Sequence, residues 1–230
     1  MNTQEKQNAK QAAAKAAAQL VQNGMLVGLG TGSTAALFIE SLIERCQREP
    51  LHIRAFPTSE RSAKQAQAGG IPLCDETVIT HLDLTIDGAD EVDEHKRMIK
   101  GGGGALLREK ITASMSTEMI VIIDPEKLVS SLGHFPLPVE IIPFACQATL
   151  QRIRRLGCDV CLRQTQEGTR YITDNHNYLV DLTFPNGIAS PEKAEAELKK
   201  IPGVVETGFF LQLAGRVLIG YPDGSVKVLP

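Results

Sequence analysis

The sequence predicts an α/β fold: a Rossmann-like, mostly parallel sheet with helices on both faces, plus a smaller ferredoxin-like α+β domain. Two observations predict it. Up to about residue 127, helical segments alternate with short apolar, β-branched segments, which is typical of a parallel sheet covered on both faces. After Pro138 the order becomes β-α-β-β-α-β, the ferredoxin-like pattern. We predict that 1–137 and 212–230 form the α/β domain and that 138–211 form the smaller one.

The elements of the first domain follow from apolar periodicity and from turn residues. An alanine-rich helix at 3–22 ends at Asn23-Gly24. A strand at 25–30 leads through a tight loop into a helix that ends near Arg48. A polar helix at 58–68 is closed by two glycines. The other predicted elements are strands at 51–56, 71–74, 82–86 and 119–123 and a helix at 105–115.

The elements of the second domain are marked by helix caps. A helix at 144–156 is closed by Gly157, and a second helix opens with Ser190 as N-cap and Pro191 at its first position. The predicted strands of this domain are 139–142, 159–163, 170–173, 178–183 and 204–211. A final strand pair, at 216–220 and 225–229, is expected to return to the first domain.

The composition is that of a globular protein and excludes several classes of function. The net charge of the 230 residues is −3, so we expect no nucleic-acid partner, because phosphate neutralisation demands a basic face. No apolar run approaches the ~18 residues of a membrane span, and charges interrupt the N-terminal alanines, unlike in a signal peptide. The five cysteines are scattered and odd in number, which suits a reducing cytosol and predicts a cytoplasmic protein.

The loop Gly30-Thr31-Gly32-Ser33-Thr34 is a candidate anion site. Its backbone N–H groups and hydroxyls lie at the start of a predicted helix, where a phosphate is favoured. The alternative is that Ser33 or Thr34 is simply an N-cap. The spacing is neither G-x-G-x-x-G nor a P-loop, so nucleotide cofactors are disfavoured and no cofactor is expected.

The stretch from Leu84 to Lys110 has the composition of a reaction site. Asp87-Gly88-Ala89-Asp90 turns the chain at the exit of an apolar strand, which places two carboxylates side by side. Lys100 and the four glycines Gly101, Gly102, Gly103 and Gly104 follow, and Glu109 stands in the first turns of the next helix. Consecutive glycines cost backbone entropy and suit a place where a ligand approaches the backbone.

Each of these features also has an ordinary structural explanation. The two aspartates can belong to a common turn. Lys100 can be a solvated lysine, and Glu109 can be a surface residue that pairs with a neighbour. The acidic residues after Ala89 fit the tip of a solvated hairpin, or oxygen ligands for Mg²⁺ or Ca²⁺. It is the conjunction of a lysine, four glycines and carboxylates that favours a reaction site, because a phosphate site at a helix start needs such glycines and a surface turn does not.

The motifs DGADEVD and MIKGGGGALLREKI resemble the type A ribose-5-phosphate isomerase family. The resemblance continues in VGLGTGSTA, GHFPLPVEIIP, IPGVVETGFF and YPDGSVKVL, and covers essentially the whole chain. It implies an enzyme of the non-oxidative pentose phosphate pathway that interconverts ribose 5-phosphate and ribulose 5-phosphate without a metal. It also implies a homodimer.

The resemblance implies roles for individual residues. Glu109 is the proton acceptor, and Asp87 is our candidate for assisting opening of the sugar ring, with Asp90 and Lys100 also catalytic. Substrate binding falls to the residues around them. These are Thr31, Gly32, Ser33, Thr34, Asp87, Gly88, Ala89, Asp90, Lys100, Gly101, Gly102, Gly103 and Lys127, with Lys10 as a further candidate for the phosphate.

Other functions stay open at this point. Amino-sugar phosphate deaminases and CoA-transferases use the same kind of sheet, and in these a glutamate can be a nucleophile. A sugar-phosphate-binding regulator would normally carry a DNA-binding module, for which neither charge nor length leaves room. Cys158-x-x-Cys161 lies in a predicted strand, where residues three apart face opposite ways, so we expect no metal or redox role for it.

Overall fold

A computed structural model describes residues 1–185 and 187–229. The chain divides into two compact units. The first comprises Met1–Ala89, Arg108–Leu128 and the chain from Leu213 onward, and the second comprises Asp90–Leu107 and Val129–Gln212. The domain boundaries given above stay a prediction. These units differ from them chiefly at 90–107, which lie in the second unit.

The first unit is built on a six-stranded sheet with the order β13-β12-β6-β3-β1-β2. Five strands run parallel and β13 pairs antiparallel at one edge. The apolar residues of the four central strands are mostly buried on both faces, as in sheets covered by helices on each side. The strands are β1 (Leu26–Leu29), β2 (Arg54–Pro57), β3 (Leu82–Asp87), β6 (Ser116–Ile123), β12 (Ala214–Gly220) and β13 (Val226–Leu229).

The helices of the first unit bury one face each against this sheet. The first begins with a capping box, in which Asn2 and Glu5 satisfy each other's backbone N–H groups. The third is N-capped by Ser59. The helices are α1 (Thr3–Ala18), α2 (Ser33–Arg48), α3 (Glu60–Ala68) and α4 (Leu106–Ser114), of which α4 begins in the second unit and continues into the first.

The second unit contains a four-stranded antiparallel sheet with the order β10-β7-β9-β8. Its elements are β7 (Leu137–Ile141), α5 (Cys146–Arg154), β8 (Asp159–Leu162), β9 (Tyr178–Thr183), α6 (Pro191–Lys199) and β10 (Val204–Thr207), which is the ferredoxin-like sequence. A small sheet of β4 (Glu91–Val92), β5 (Met98–Ile99) and β11 (Phe209–Phe210) completes the unit. The predicted fold class, a mostly parallel α/β sheet with a smaller α+β part, is confirmed.

Several predicted elements differ in detail. The strand expected at 71–74 is wrong: only Leu73 forms a bridge, to Ala55, because Pro72 has no N–H to donate to a ladder. The strand expected at 170–173 is likewise reduced to two isolated bridges. The predicted helix at 3–22 ends earlier, at Ala18, after which Leu20 and Val21 make the tighter i→i+3 hydrogen bonds.

The strand predicted at 204–211 is interrupted at Gly208. The Gly208 N–H donates to the carbonyl of Pro138, and its own carbonyl accepts the N–H of Lys100. A Cβ at this position would lie 2.4 Å from the Lys100 carbonyl oxygen. The chain therefore leaves β7 for β5 at this glycine, and one predicted strand becomes two that belong to different sheets.

The strand order of the first unit identifies where a ligand is expected. From β1 the chain goes to β2 on one side, whereas β3 lies on the other side of β1. The order therefore reverses between β1 and β3, and in such sheets ligands bind outside the carboxyl ends of the strands at this point. Among the described residues, no helix has the length and apolar character needed to cross a membrane.

Candidate active site

The loop after β1 is held by the carboxylate of Asp87 at the end of β3. Asp87 is fully buried, and its Oδ1 accepts the N–H of Thr31 at 3.0 Å and that of Gly88 at 2.7 Å. A Cβ at Gly30 would lie 2.0 Å from the same Oδ1, so only glycine allows the loop to come this close. The carboxylate thus fixes two backbone segments at the point where the strand order reverses.

The hydroxyl of Thr31 points into the protein. Its Oγ1 lies 2.7 Å from the Thr58 hydroxyl and donates to Ser59 Oγ at 2.8 Å, and all three residues are buried. Sequence reasoning missed Thr58 and Ser59. The available signal was their position at the end of β2, which runs parallel to β1, so that their carboxyl ends share one edge.

The N-terminus of α2 carries the predicted anion site. Ser33 is exposed at the first position of the helix, after Gly32 at φ 122°. No side chain caps this end, so the alternative of Ser33 or Thr34 as the N-cap is wrong for this helix. Lys10 in α1 donates from Nζ to Ser33 Oγ at 3.0 Å, so the structure brings these two predicted residues together.

Glu109 lies in the first turn of α4 and is 3% exposed. Thr112, one turn further along the same face, packs close to Gly28 in β1, where an added Cβ would lie 2.8 Å from its methyl. Glu109 is therefore on the side of the helix that faces the sheet and is not a surface glutamate. A helix N-terminus favours a negative charge at this position.

Lys127 follows β6, the neighbour of β3 in the sheet. Asp124 N-caps a single 3-10 turn, Pro125–Lys127, by accepting the Glu126 N–H at 3.0 Å. Because β1, β3 and β6 are parallel, Lys127 lies beyond the same edge of the sheet as Ser33 and Asp87.

The second unit contains Lys100 and the glycine-rich loop. Lys100 is 2% exposed, its N–H donates to the Gly208 carbonyl, and its Nζ lies 5.3 Å from the centre of the Phe210 ring. A lysine is rarely buried to this extent, so the solvated lysine considered above is wrong.

Asp90 organises the glycine-rich loop. Its Oδ2 accepts the N–H of Gly102 at 2.7 Å, and a Cβ at Gly102 would lie 2.7 Å from Oδ1. Gly101 and Gly104 are buried with φ of 101° and 86°, a conformation that side chains rarely adopt. Gly102 and Gly103 between them are exposed. The loop therefore presents bare backbone at its middle.

The acidic residues after Asp90 are occupied by protein donors. Glu91 accepts the N–H groups of Gly133 and Phe135, and Asp93 accepts the backbone N–H groups of His95 and Arg97 as well as the Arg97 side chain. Over 1–185 and 187–229, no group of three or more His, Cys, Asp or Glu side chains has an arrangement suited to a metal ion.

Cys158 and Cys161 lie in different surroundings. Cys158 is buried whereas Cys161 is exposed, and both thiols are free. Burial raises the pKa of the Cys158 thiol, which disfavours the thiolate that metal binding or redox chemistry requires.

Comparison with known proteins identifies the family. The profile described as ribose 5-phosphate isomerase A (phosphoriboisomerase A) matches residues 54–224. The chain belongs to the ribose-5-phosphate isomerase A family. The ribose-5-phosphate isomerase A of Protochlamydia amoebophila is 52% identical over 221 residues, which cover 96% of this chain and 95% of that protein. The ribose-5-phosphate isomerase A of Bacillus mycoides is 50% identical over 217 residues, which cover 94% of this chain and 97% of that protein.

Solved structures of the family share this fold. Ribose 5-phosphate isomerase A from Methanocaldococcus jannaschii superposes with a TM-score of 0.90 at 40% identity, over 95% of this chain and 96% of that one. A D-ribose-5-phosphate isomerase in complex with phospho-erythronic acid superposes with a TM-score of 0.92 at 37% identity, over 99% of each chain. The resemblance found in the glycine motifs is thereby confirmed.

Proposed function

We propose that this chain interconverts ribose 5-phosphate and ribulose 5-phosphate through an enediolate. The observation that carries the proposal is identity of about half the residues with ribose-5-phosphate isomerases A over nearly the full length of both chains. The reaction moves a proton between the adjacent carbons C2 and C1. It therefore needs a base, donors for the oxyanion that develops, and an anchor for the phosphate.

Glu109 is the base in this proposal. Its burial in the first turn of α4 supports the role, because a carboxylate that is shielded from water but favoured by a helix N-terminus is ready to accept a proton.

Lys100 and the N–H groups of the glycine-rich loop stabilise the enediolate oxygens. A buried ammonium group acts strongly on a nearby negative charge because little water screens it. Of these N–H groups, that of Gly103 lies in the exposed middle of the loop, as an oxyanion donor must, whereas that of Gly102 already donates to Asp90.

The phosphate is held by Ser33, Thr34, the N-terminal N–H groups of α2 and Lys10. The hydrogen bond from Lys10 to Ser33 supports this assignment, since it places a positive charge at a helix N-terminus that already favours anions. Lys127, beyond the same edge of the sheet, is a further phosphate or hydroxyl contact.

The two aspartates and the chain between them bind the sugar. Asp87, at the carboxyl end of β3, assists ring opening, and Asp90 accepts a hydroxyl while holding Gly102. Both carboxylates are already fixed by backbone N–H groups, so little reorganisation is needed when substrate binds. Gly88, Ala89 and Gly101 contribute backbone contacts.

The bound ligand of one relative is consistent with these roles. That relative is a D-ribose-5-phosphate isomerase in complex with phospho-erythronic acid. Such an acid combines a phosphate with a carboxylate, whose negative charge resembles the charge that an enediolate develops. In this proposal the phosphate of such a molecule binds at the N-terminus of α2, and its carboxylate binds the buried ammonium group of Lys100.

We further propose that the protein is a cytoplasmic homodimer. Free thiols at all five cysteines fit a reducing compartment. In the second unit, Phe144 is 87% exposed and Ile142 and Ile172 are 42% and 58% exposed. Apolar side chains of this size on a surface are expected where a second subunit covers them.

Isomerisation should survive removal of divalent metal ions, because Lys100 and backbone donors supply the electrostatic stabilisation. The measurement is ribulose 5-phosphate formation from ribose 5-phosphate by the purified protein, before and after exhaustive treatment with EDTA. We expect equal rates. A rate that falls on chelation and returns with one divalent ion would contradict the metal-free mechanism, and no product in either sample would contradict the proposed function.

Glu109→Gln should lower kcat by about 10²–10⁴ with KM little changed, because the amide keeps the shape of the side chain but cannot accept a proton. The matched control is Glu76→Gln, which makes the same change at an exposed glutamate. Thermal unfolding of both variants should stay close to that of the wild type. A kcat of Glu109→Gln within about threefold of the wild-type value would show that Glu109 is not the base.

The double variant Ser33→Ala/Thr34→Ala should raise KM more than it lowers kcat, as expected when uniform binding is lost. Lys10→Met should act in the same direction, since it removes the charge beside Ser33. Ser114→Ala, at an exposed hydroxyl near the end of α4, serves as the control. An unchanged KM in the double variant would mean that the phosphate binds elsewhere.

A further inference from the structure

The glycine-rich loop is held on its carbonyl side by Arg163, a residue to which the motifs assign no role. Arg163 directly follows β8. Its Nη1 donates to the carbonyl oxygen of Gly101 at 2.9 Å and to that of Gly102 at 3.2 Å. One guanidinium nitrogen thus binds two successive carbonyl groups of the loop.

Asp181 in β9 fixes the guanidinium from the other edge. Arg163 Nε donates to Asp181 Oδ2 at 2.8 Å, and Nη2 donates to Oδ1. This bidentate pairing defines the plane of the guanidinium as well as its position. The side chains are 14% and 25% exposed, so the pair is only partly screened by water.

Tyr171 extends the same arrangement to the next carbonyl. Its N–H donates to the Arg163 carbonyl at 3.0 Å, and its ring lies 5.9 Å from the Arg163 guanidinium carbon. Its hydroxyl is 3.4 Å from the carbonyl oxygen of Gly103. A Cβ at Gly104 would lie 2.1 Å from that hydroxyl, so a glycine at 104 makes room for the tyrosine.

The direction of the carbonyl groups determines the direction of the N–H groups. No described peptide bond is cis, and in a trans peptide the C=O and the following N–H point in opposite directions. Because the carbonyls of Gly101 and Gly102 point at Arg163, the N–H groups of Gly102 and Gly103 point away from it. The first of these donates to Asp90, which agrees with this geometry.

We propose that Arg163 is a positioning residue for the reaction, held in place by Asp181 and Tyr171. It orients the N–H of Gly103 toward the oxygen that becomes negative in the enediolate, while Asp90 holds the N–H of Gly102. The inference rests on the proposed function for the identity of that oxygen. It adds a cluster from the ferredoxin-like sheet to the residues on which the rate depends.

Arg163→Gln removes the charge and the planar fork. We expect kcat to fall about 10- to 100-fold, since a displaced oxyanion donor costs that much, while KM stays within about threefold. Inhibition by phospho-erythronic acid should weaken by a larger factor than KM rises. Arg163→Lys keeps the charge but cannot bind a carboxylate and two carbonyls together, so it should restore kcat only in part.

The matched control is Arg170→Gln. Arg170 lies in the same hairpin and stacks on Tyr178 at 5.5 Å, with a hydrogen bond to its hydroxyl. It makes the same kind of aromatic contact as Arg163 but bonds Tyr178 rather than the carbonyls of the loop. We expect wild-type kcat in this variant.

Amide hydrogen exchange measures the order of the glycine-rich loop independently of enzymatic activity. In Arg163→Gln, peptides that cover residues 100–105 should exchange about tenfold faster or more, and those of Arg170→Gln should match the wild type. An inactive wild-type protein would refute the proposed function. In that case the hydrogen-exchange rates alone would test whether Arg163 orders the loop. If the wild-type protein is active, a kcat of Arg163→Gln within threefold of the wild-type kcat would overturn the inference. If Arg163→Gln does not fold, Arg163→Lys is judged by the same two measurements.

Discussion

The hydrogen bonds from Thr31 and Gly88 to the Asp87 carboxylate are the interaction on which the candidate site of the first unit depends. They tie the loop after β1 to the end of β3, where the strand order reverses. The close approach is possible because residue 30 is a glycine. Once this loop is fixed, α2 begins with Ser33 exposed, and Lys10 reaches its hydroxyl. A single buried carboxylate therefore positions the groups that we assign to the phosphate.

The second unit repeats the same principle at the glycine-rich loop. There the Asp90 carboxylate accepts the Gly102 N–H, while Arg163 binds the carbonyls on the opposite side. In both places a carboxylate fixes a glycine-containing loop through backbone N–H groups. This explains how a chain of net charge −3 can be suited to an anionic substrate: donors come from the oriented backbone and from a few lysines, and no basic surface is required.

The sequence predicted the parallel sheet, the ferredoxin-like order and the position of Glu109 in the first turn of a helix, because periodicity and local turn chemistry determine these features. It did not predict β4 and β5, since strands of two residues are too short to show alternation, and it did not separate β11 from β10. Arg163 was missed because its contacts with Gly101 and Gly102 join positions about sixty residues apart, and no local pattern encodes them. The inward orientation of the Thr31 hydroxyl was missed for the same reason, because its partner Thr58 follows a different strand.

The proposed function depends on proton transfer between C2 and C1 by a base of the protein. The most direct measurement is turnover of ribose 5-phosphate in D₂O, followed by NMR of the ribulose 5-phosphate formed. We predict deuterium at one of the two C1 positions of the product, because a proton held by Glu109 exchanges with solvent before it is returned. Glu109→Gln should form labelled product only at its residual rate. Product that carries the original C2 hydrogen at C1, with no solvent deuterium, would contradict the mechanism.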